Sequence, residues 1–397
     1  MKNNTVLLAF SGGLDTSFCV KYLIHEKKCT VYSAVVNTGG FNAKELQAIE
    51  EKAYALGVEK HFTLEETEHY YKDLVRYLIY GNILKNGTYP LSVSAERVHQ
   101  AGALAQLAKK LDVASIAHGS TGAGNDQIRF DLAFQLLVPD LKIITPIRDL
   151  KLSRQDEIEY LNKYGVNMEW KSAKYSINKG LWGTSIGGEE TLTSHLPLPD
   201  SAFTKLKTDT KSSPLIISFK QGEIAAVNGE EMSPVKAIQT IEEIGKSYGI
   251  GRDIHVGDTI IGIKGRVGFE AAAALLIIKA HAHLEKHTLT KWQIHWKEQL
   301  ANWYGMFIHE AQYAEPVMRN IETFLADSQH YVTGTVTLTL HPYYFQINGI
   351  ESEHDLMHPG FGVYGEMNKT WTGEDVKGFT KVLGNSIQIF NKVNQLV

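Results

Sequence analysis

A chain of 397 residues with 43% hydrophobic composition is long enough to bury two cores, which excludes the small disulfide-stapled scaffolds. Its 40 Lys and Arg against 44 Asp and Glu give a formal net charge of −4, which excludes a global basic field that would select nucleic acid or an anionic membrane. Two cysteines (Cys19 and Cys29), an opening MKNNTVLLAF that runs straight into an apolar strand, and an apolar run at 271–280 too short for a bilayer predict a cytoplasmic protein with no membrane partner.

The pattern predicts a strand at 6–10, a polar turn SGGLDT at 11–16 and a helix over 17–26. A second strand at 30–36 ends in NTGG, and the helix over 43–56 that follows stops at Gly57. Short strands come next at 113–117, ahead of HGSTGAGNDQIR, and at 141–145, and a helix over 154–164 stops at Gly165. Alternation of strands and helices over 1–166 predicts an α/β domain: a mostly parallel sheet with helices on both faces and polar loops at the carboxyl ends of its strands. Residues 171–213, rich in Lys, Ser, Thr, Gly and Pro, read as a domain connection carrying active-site loops. Strands joined by a turn over 214–227, an amphipathic helix over 233–248, strand-like stretches over 253–270, a buried helix over 271–280 and a half-buried strand over 333–340 predict an α+β second domain, 167–371. The tail, 372–397, reads as a terminal helix used in subunit contact.

SGGLDT carries the most chemistry. Gly12 and Gly13 let the backbone approach an anion, Ser11, Thr16 and Ser17 add hydroxyls, and the following helix offers its positive end. Such a loop can cradle pyrophosphate, although a plain glycine turn with a helix cap has the same ingredients. It lacks the GKS/T ending of a Walker loop and the GxGxxG spacing of a dinucleotide fold. Asp15 is too acidic to be a direct phosphate partner, so its roles are Mg2+ coordination through water or holding the loop. No cysteine pair or H-E-x-x-H pattern suggests zinc, and no protein metal ligand or covalent nucleophile is assigned.

S-G-G-x-D-[ST] after an N-terminal strand resembles the PP-loop of the N-type ATP pyrophosphatases, which cleave ATP between the α and β phosphates. Within that superfamily, VLLAFSGGLDTS, YPLSVSAER, HGSTGAGNDQIRFD, PIRDLKLSRQDEIEYL, YSINKGLWG and GIGRD…GIKGR resemble the argininosuccinate synthases over nearly the whole chain. The resemblance implies an adenine nucleotide alpha hydrolase-like domain, a synthetase domain and a homotetramer helped by a C-terminal helix. It also implies ATP with Mg2+ and the joining of citrulline to aspartate through a citrullyl-adenylate, in arginine biosynthesis. Residue by residue it assigns ATP to Ala9, Phe10, Ser11, Gly12, Gly13, Asp15, Thr16, Ser17 and Gly119. Citrulline falls to Tyr89, Ser94, Asn125, Arg129, Ser176 and Ser185, and aspartate to Thr121, Asn125 and Asp126. Arg97, placed to neutralise a carboxylate or phosphate, completes a candidate catalytic set with Asp15 and Asp126.

The sequence also departs from that family. Asn178 and Gly180 stand where Asp and Asn are usual, Gly257 stands at the position of a Glu that faces the citrulline amino group, and Phe269 stands where a Tyr is expected. Either Asp258 replaces the lost charge, or the substrate carries no ammonium there, as in an N-acylated citrulline. His118 reads as a structural partner of its loop, Cys19 as a small buried residue, and the histidines of HAHLEKH (281–287) as exposed on a helix. The alternatives in other classes are another PP-loop adenylating enzyme and a nucleotide sensor without turnover.

Overall fold

The computed structural model describes residues 4–166, 175–204, 207–357, 360, 362–366 and 370–396, so part of the expected 171–213 connection lies outside the described residues. The first half alternates β1 (Thr5–Ala9), α1 (Leu14–His25), β2 (Thr30–Asn37), α2 (Ala43–Ala55) and β3 (Lys60–Glu65). A helical segment then runs through α3 (Thr67–Tyr70), a π-helical turn (Tyr71–Val75) and α4 (Arg76–Tyr80) into α5 (Ser92–Leu111), β4 (Ser115–Ala117), α6 (Asp126–Leu137), β5 (Lys142–Ile144), α7 (Pro146–Leu150) and α8 (Arg154–Lys163). The five strands are parallel, in the order β3-β2-β1-β4-β5.

β1 reads as an unbroken apolar run because both its faces are covered. Val6 and Leu8 pack with Phe18, Val20 and Leu23 of α1, Ala53 of α2 and Leu161 of α8, while Leu7 points the other way into Ala101, Leu104 and Ala105 of α5 and Phe134 of α6. Chain order reverses beside β1, whose neighbours are β2 and β4, so the loops after β1 and β4 flank one crevice.

The second half is antiparallel. β6 (Tyr175–Gly180), β7 (Gly183–Gly188), β11 (Arg252–Asp258) and β12 (Lys264–Glu270) form a sheet in the order β11-β12-β7-β6. β8 (Ser213–Lys220), β9 (Glu223–Val227), β10 (Glu230–Glu231), β13 (Gly334–His341) and β14 (Tyr344–Glu351) form the other, ordered β10-β9-β8-β13-β14. Helices α9 (Pro234–Ser247), α10 (Ala272–Thr288), α11 (Lys291–His309) and α12 (Pro316–Ser328) complete this half. The expected buried helix is α10, whose Ala272–Ala274, Leu276 and Ile277 are sealed in the core.

The expectation of exposed histidines on that helix fails. His281 is fully buried and His283 and His287 are half-buried, because α10 turns His281 into a polar cluster inside the core. There the two ring nitrogens of His281 bond Asn82 Oδ1 (2.7 Å) and Gln329 Oε1 (2.8 Å), beside the buried Lys297–Glu285 ion pair (2.8 Å).

Met1–Glu353 forms one compact unit and His354–Val397 a second. The tail is helical, in two segments: α13 (Gly373–Leu383), opened by a Thr372–Asp375 capping box, and α14 (Asn385–Val393), with no buried residue in either. Among the described residues, no helix is long and apolar enough to cross a membrane.

Candidate active site

After Ala9 the chain bends through Ser11–Gly13 and enters α1 at Leu14, earlier than the spacing predicted, since the LDT of the motif already forms the first turn. Gly12 sits at φ +75°, a left-handed conformation in which a side chain would be strained. Its carbonyl accepts from Lys52 Nζ of α2 (2.6 Å), and the Gly13 carbonyl accepts from Ser17 Oγ (2.7 Å) and Thr16 Oγ1 (3.3 Å). Ser17 is therefore fully buried, with its hydroxyl engaged inside the loop. At the end of β4, Gly119 lies so close that a Cβ there would come 3.3 Å from the Thr16 methyl and 3.4 Å from the Asp15 backbone. Behind the loop, Glu157 of α8 is buried, and its carboxyl is pushed up to about 8 by burial and then by the charge of Asp15, with which it hydrogen-bonds.

Both loops open into one cavity of about 1130 Å³. Pockets for a single drug-sized ligand run on the order of 300–1,000 Å³, so this one has room for several reactants together. Its wall includes Ala9, Phe10, Ser11, Gly13, Asp15, Thr16 and Gly119 at one end and Tyr89, Ser94, Arg97, Thr121, Asn125, Asp126, Arg129, Ser176 and Ser185 elsewhere; Gly12 and the buried Ser17 are not part of that wall.

Asp126, the first residue of α6, lies between two guanidinium groups: Arg97 Nε reaches its Oδ2 and Arg129 Nη1 its Oδ1, both at 3.0 Å. Burial would push the Asp126 carboxyl up, but Arg97 and Arg129 outweigh it and hold it below the usual carboxylate range. Arg97 continues to Gln100 Oε1 (2.8 Å) and Asn178 Oδ1 (2.7 Å), so Asn178 in β6 receives the guanidinium from across the cavity. Arg129 continues to Ser94 Oγ (2.8 Å) and the His309 carbonyl (3.1 Å). The buried Tyr89 hydroxyl accepts from Ser92 Oγ and Val93 N, and burial raises it further above its ordinary value, so it keeps a proton to donate. Asn125 Oδ1 accepts from Ile260 N (2.9 Å), while Ser176 is exposed on β6 and Ser185 buried on β7.

The two halves of the chain match two family models, one described as the arginosuccinate synthase N-terminal HUP domain over residues 5–167 and the other as the arginosuccinate synthase C-terminal domain over 175–390. The chain belongs to the argininosuccinate synthase family. It is 39% identical over 337 residues to the argininosuccinate synthase of Methanocaldococcus jannaschii, covering 84% of this chain and 85% of that one. The argininosuccinate synthase of Dictyoglomus thermophilum is 36% identical over 388 residues, with 97% and 96% covered, and that of Xylella fastidiosa 35% over 407 residues, with 100% and 99% covered. With the family comes its class, an ATP-dependent C–N ligase of arginine biosynthesis.

Within this argininosuccinate synthase fold, His118 anchors its loop, since Nε2 faces Asp131 Oδ1 (2.9 Å) and Nδ1 accepts from Ser120 N, while Arg148 holds the other Asp131 oxygen (2.6 Å). Asp258 does not turn toward the place of the missing Glu. It alternates to the opposite face of β11 from Gly257 and pairs with Lys264 Nζ at 2.7 Å. Phe269 is fully buried behind Tyr89, ring centroids 5.4 Å apart. The sequence reading missed Glu96, whose Oε1 accepts from Thr38 Oγ1 (2.6 Å), as well as Gln100, His255, His309 and Glu157. Gln100 was within reach, because it lies three residues after Arg97 on α5, where a helical turn brings the two side by side.

Proposed function

We propose that the chain adenylates the ureido oxygen of citrulline with ATP and then joins the ureido carbon to the amino nitrogen of aspartate, yielding argininosuccinate, AMP and pyrophosphate. The observation that carries this reading is the meeting, in one cavity, of a phosphate-type loop and the Arg97–Asp126–Arg129 clamp. In the first step the ureido oxygen forms a bond to the α-phosphorus and the bond to pyrophosphate breaks. The backbone of residues 9–13, the hydroxyls of Ser11 and Thr16, the positive end of α1 and Gly119 would receive the triphosphate. In the second step the aspartate nitrogen bonds the ureido carbon, the bond to AMP breaks, and the nitrogen's proton leaves to phosphate.

Tyr89, Ser94, Asn125, Arg129, Ser176 and Ser185 would hold citrulline, with Arg129 facing its carboxylate. Thr121 and Asn125 would hold the aspartate carboxylates, and the ionised Asp126 its ammonium. Arg97 keeps Asp126 charged and aimed, so rate enhancement comes mainly from alignment and charge stabilisation. Mg2+ would neutralise the departing pyrophosphate. Such an ion would be held mostly by phosphates and water, with Asp15 of the cavity wall nearby.

We further read 1–166 as the nucleotide-binding part, 167–371 as the synthetase part and 372–397 as an assembly segment of a cytoplasmic homotetramer. The exposed Phe379, Val382, Ile387, Phe390 and Val393 support the last. The test is pyrophosphate release from ATP with Mg2+, aspartate and a citrulline-type acceptor, and the mass of the condensed product. ATP binding without release under any acceptor would overturn the ligase reading in favour of a nucleotide sensor.

A further inference from the structure

One wall of the cavity lacks the chemistry an amino acid's ammonium needs. On β11, His255 and Gly257 point to the same face, and a Cβ on Gly257 would stand 2.6 Å from His255 Nε2. The imidazole thus fills the place where a side chain at 257 would begin. His255 is 6% exposed, lies against Tyr89 (ring centroids 5.1 Å, 23° between planes), and its Nδ1 is buried with no hydrogen-bond partner. His309, at the end of α11, is 8% exposed and lines the same cavity. Its Nε2 donates to the Asp258 carbonyl (3.0 Å), which leaves Nδ1 as the lone-pair nitrogen, and that atom too is buried without a partner. Two imidazoles, each more than nine-tenths buried and each with an unsatisfied nitrogen, are a standing request for a polar ligand.

The ligand is not a cation. Of the carboxylates that line the cavity, Asp126 is taken by the ammonium of aspartate in the reading above, and the others are engaged within the chain: Asp15 with Glu157, Glu45 at the start of α2, Glu96 with Thr38 and Arg97, and Asp258 with Lys264. Burial, followed by the charge of Lys85, holds both imidazoles below their ordinary value, and Arg129 adds to this at His309, which falls to about 4. An ammonium brought to the same place would meet the same desolvation and the same positive field, opposed at His255 by Asp253, which is not part of the cavity wall. An amide meets neither objection. Its N–H can donate to His309 Nδ1, its carbonyl can accept from a ring N–H of His255, and it carries no charge.

We propose that the pocket formed by His255, Gly257 and His309 is a subsite for an amide on the α-nitrogen of the acceptor, so that this enzyme prefers an α-N-acylated citrulline to free citrulline. The inference rests on the ligase reading above and narrows its substrate class.

The experiment compares kcat/KM for citrulline, N-acetylcitrulline and N-succinylcitrulline, by pyrophosphate release with ATP, Mg2+ and aspartate, with products identified by mass. The expected result is that at least one acyl form exceeds citrulline about tenfold or more, chiefly through KM. His255→Ala, checked for native circular dichroism, should then lower the ratio of kcat/KM for the acyl substrate to kcat/KM for citrulline about tenfold, chiefly through the KM of the acyl substrate. An acyl preference that survives both His255→Ala and His309→Gln overturns the assignment of the subsite. A preference for free citrulline overturns the inference and leaves the ligase reading standing, whereas no turnover with any of the three overturns both.

Discussion

Asp126 holds a different guanidinium on each of its oxygens, and that arrangement fixes what substitutions at its partners should do. Arg97→Lys keeps the charge but removes the planar fork that reaches Asp126, Gln100 and Asn178 at once. Loss of such charge-assisted contacts should lower kcat/KM for aspartate by roughly 10- to 100-fold with an unchanged circular dichroism spectrum; steady-state rates within twofold of the parent would show that the clamp is not part of the reaction. Glu157 allows a sharper test through pH. Its carboxyl is raised from an ordinary 4.5 to about 8 in the fold, so the folded chain binds this proton more tightly than the unfolded one does. The stability it contributes is fully present below about pH 4.5 and is lost as pH rises toward about 8. Calorimetric melting temperatures of the parent should therefore fall between pH 6 and pH 9 more steeply than those of Glu157→Gln, in which no proton is left to lose; parallel curves would mean that Glu157 is not protonated beside Asp15.

The elements that the sequence made legible are those whose local signal agrees with their surroundings. β1 and β2 are apolar on both faces because helices cover both, and their flanking glycine-rich turns mark where they stop. The loops after β1 and β4 were legible for a related reason, since the dense run of Gly, Ser, Thr, Asn and Asp has no use in a core. Helices α5 and α11 escaped the reading because burial in them follows partners and not polarity. α5 buries Ser94 and Glu96 beside small residues, and α11 exposes Trp292, Trp296 and Trp303 while burying Lys297. The same holds for His255, His309 and Glu157, whose roles arise only when β11, α11 and α8 are folded against loops distant in sequence. Lys297 shows the energetic side of this. Its Nζ meets Glu285 Oε2 and the Tyr80 carbonyl, both at 2.8 Å, with 1% of the residue exposed. Lys297→Met should therefore lower unfolding stability by about 3–5 kcal/mol, measured from urea midpoints, since Glu285 keeps a buried charge without its cation. Adding Glu285→Gln should recover part of that loss, and a single variant as stable as the parent would show that Glu285 is not charged in the core.

At the scale of the whole molecule, apolar surface is distributed unevenly between the two units. Met1–Glu353 holds three buried apolar clusters, although it leaves Trp292, Trp296 and Trp303 of α11 exposed, whereas the helices of His354–Val397 bury nothing and leave Phe379, Val382, Leu383, Ile387, Phe390 and Val393 each more than half exposed. Both helices of the tail are short, below the length at which isolated helices hold in water, so an amphipathic face of this kind needs something to cover it. A second copy of the chain supplies the same face at the same concentration, and closed symmetry lets each copy satisfy its neighbours. The proposed assembly therefore predicts the effect of charge on that face. Phe379→Glu with Phe390→Glu should be nearly neutral for a single chain, because both positions are exposed within it. In an assembly the two carboxylates would be buried without partners, which costs several kcal/mol per interface. Sedimentation velocity should then report a mass several times 44.3 kDa for the parent and a markedly smaller one for the double variant. Equal masses for the two would remove the tail from the assembly.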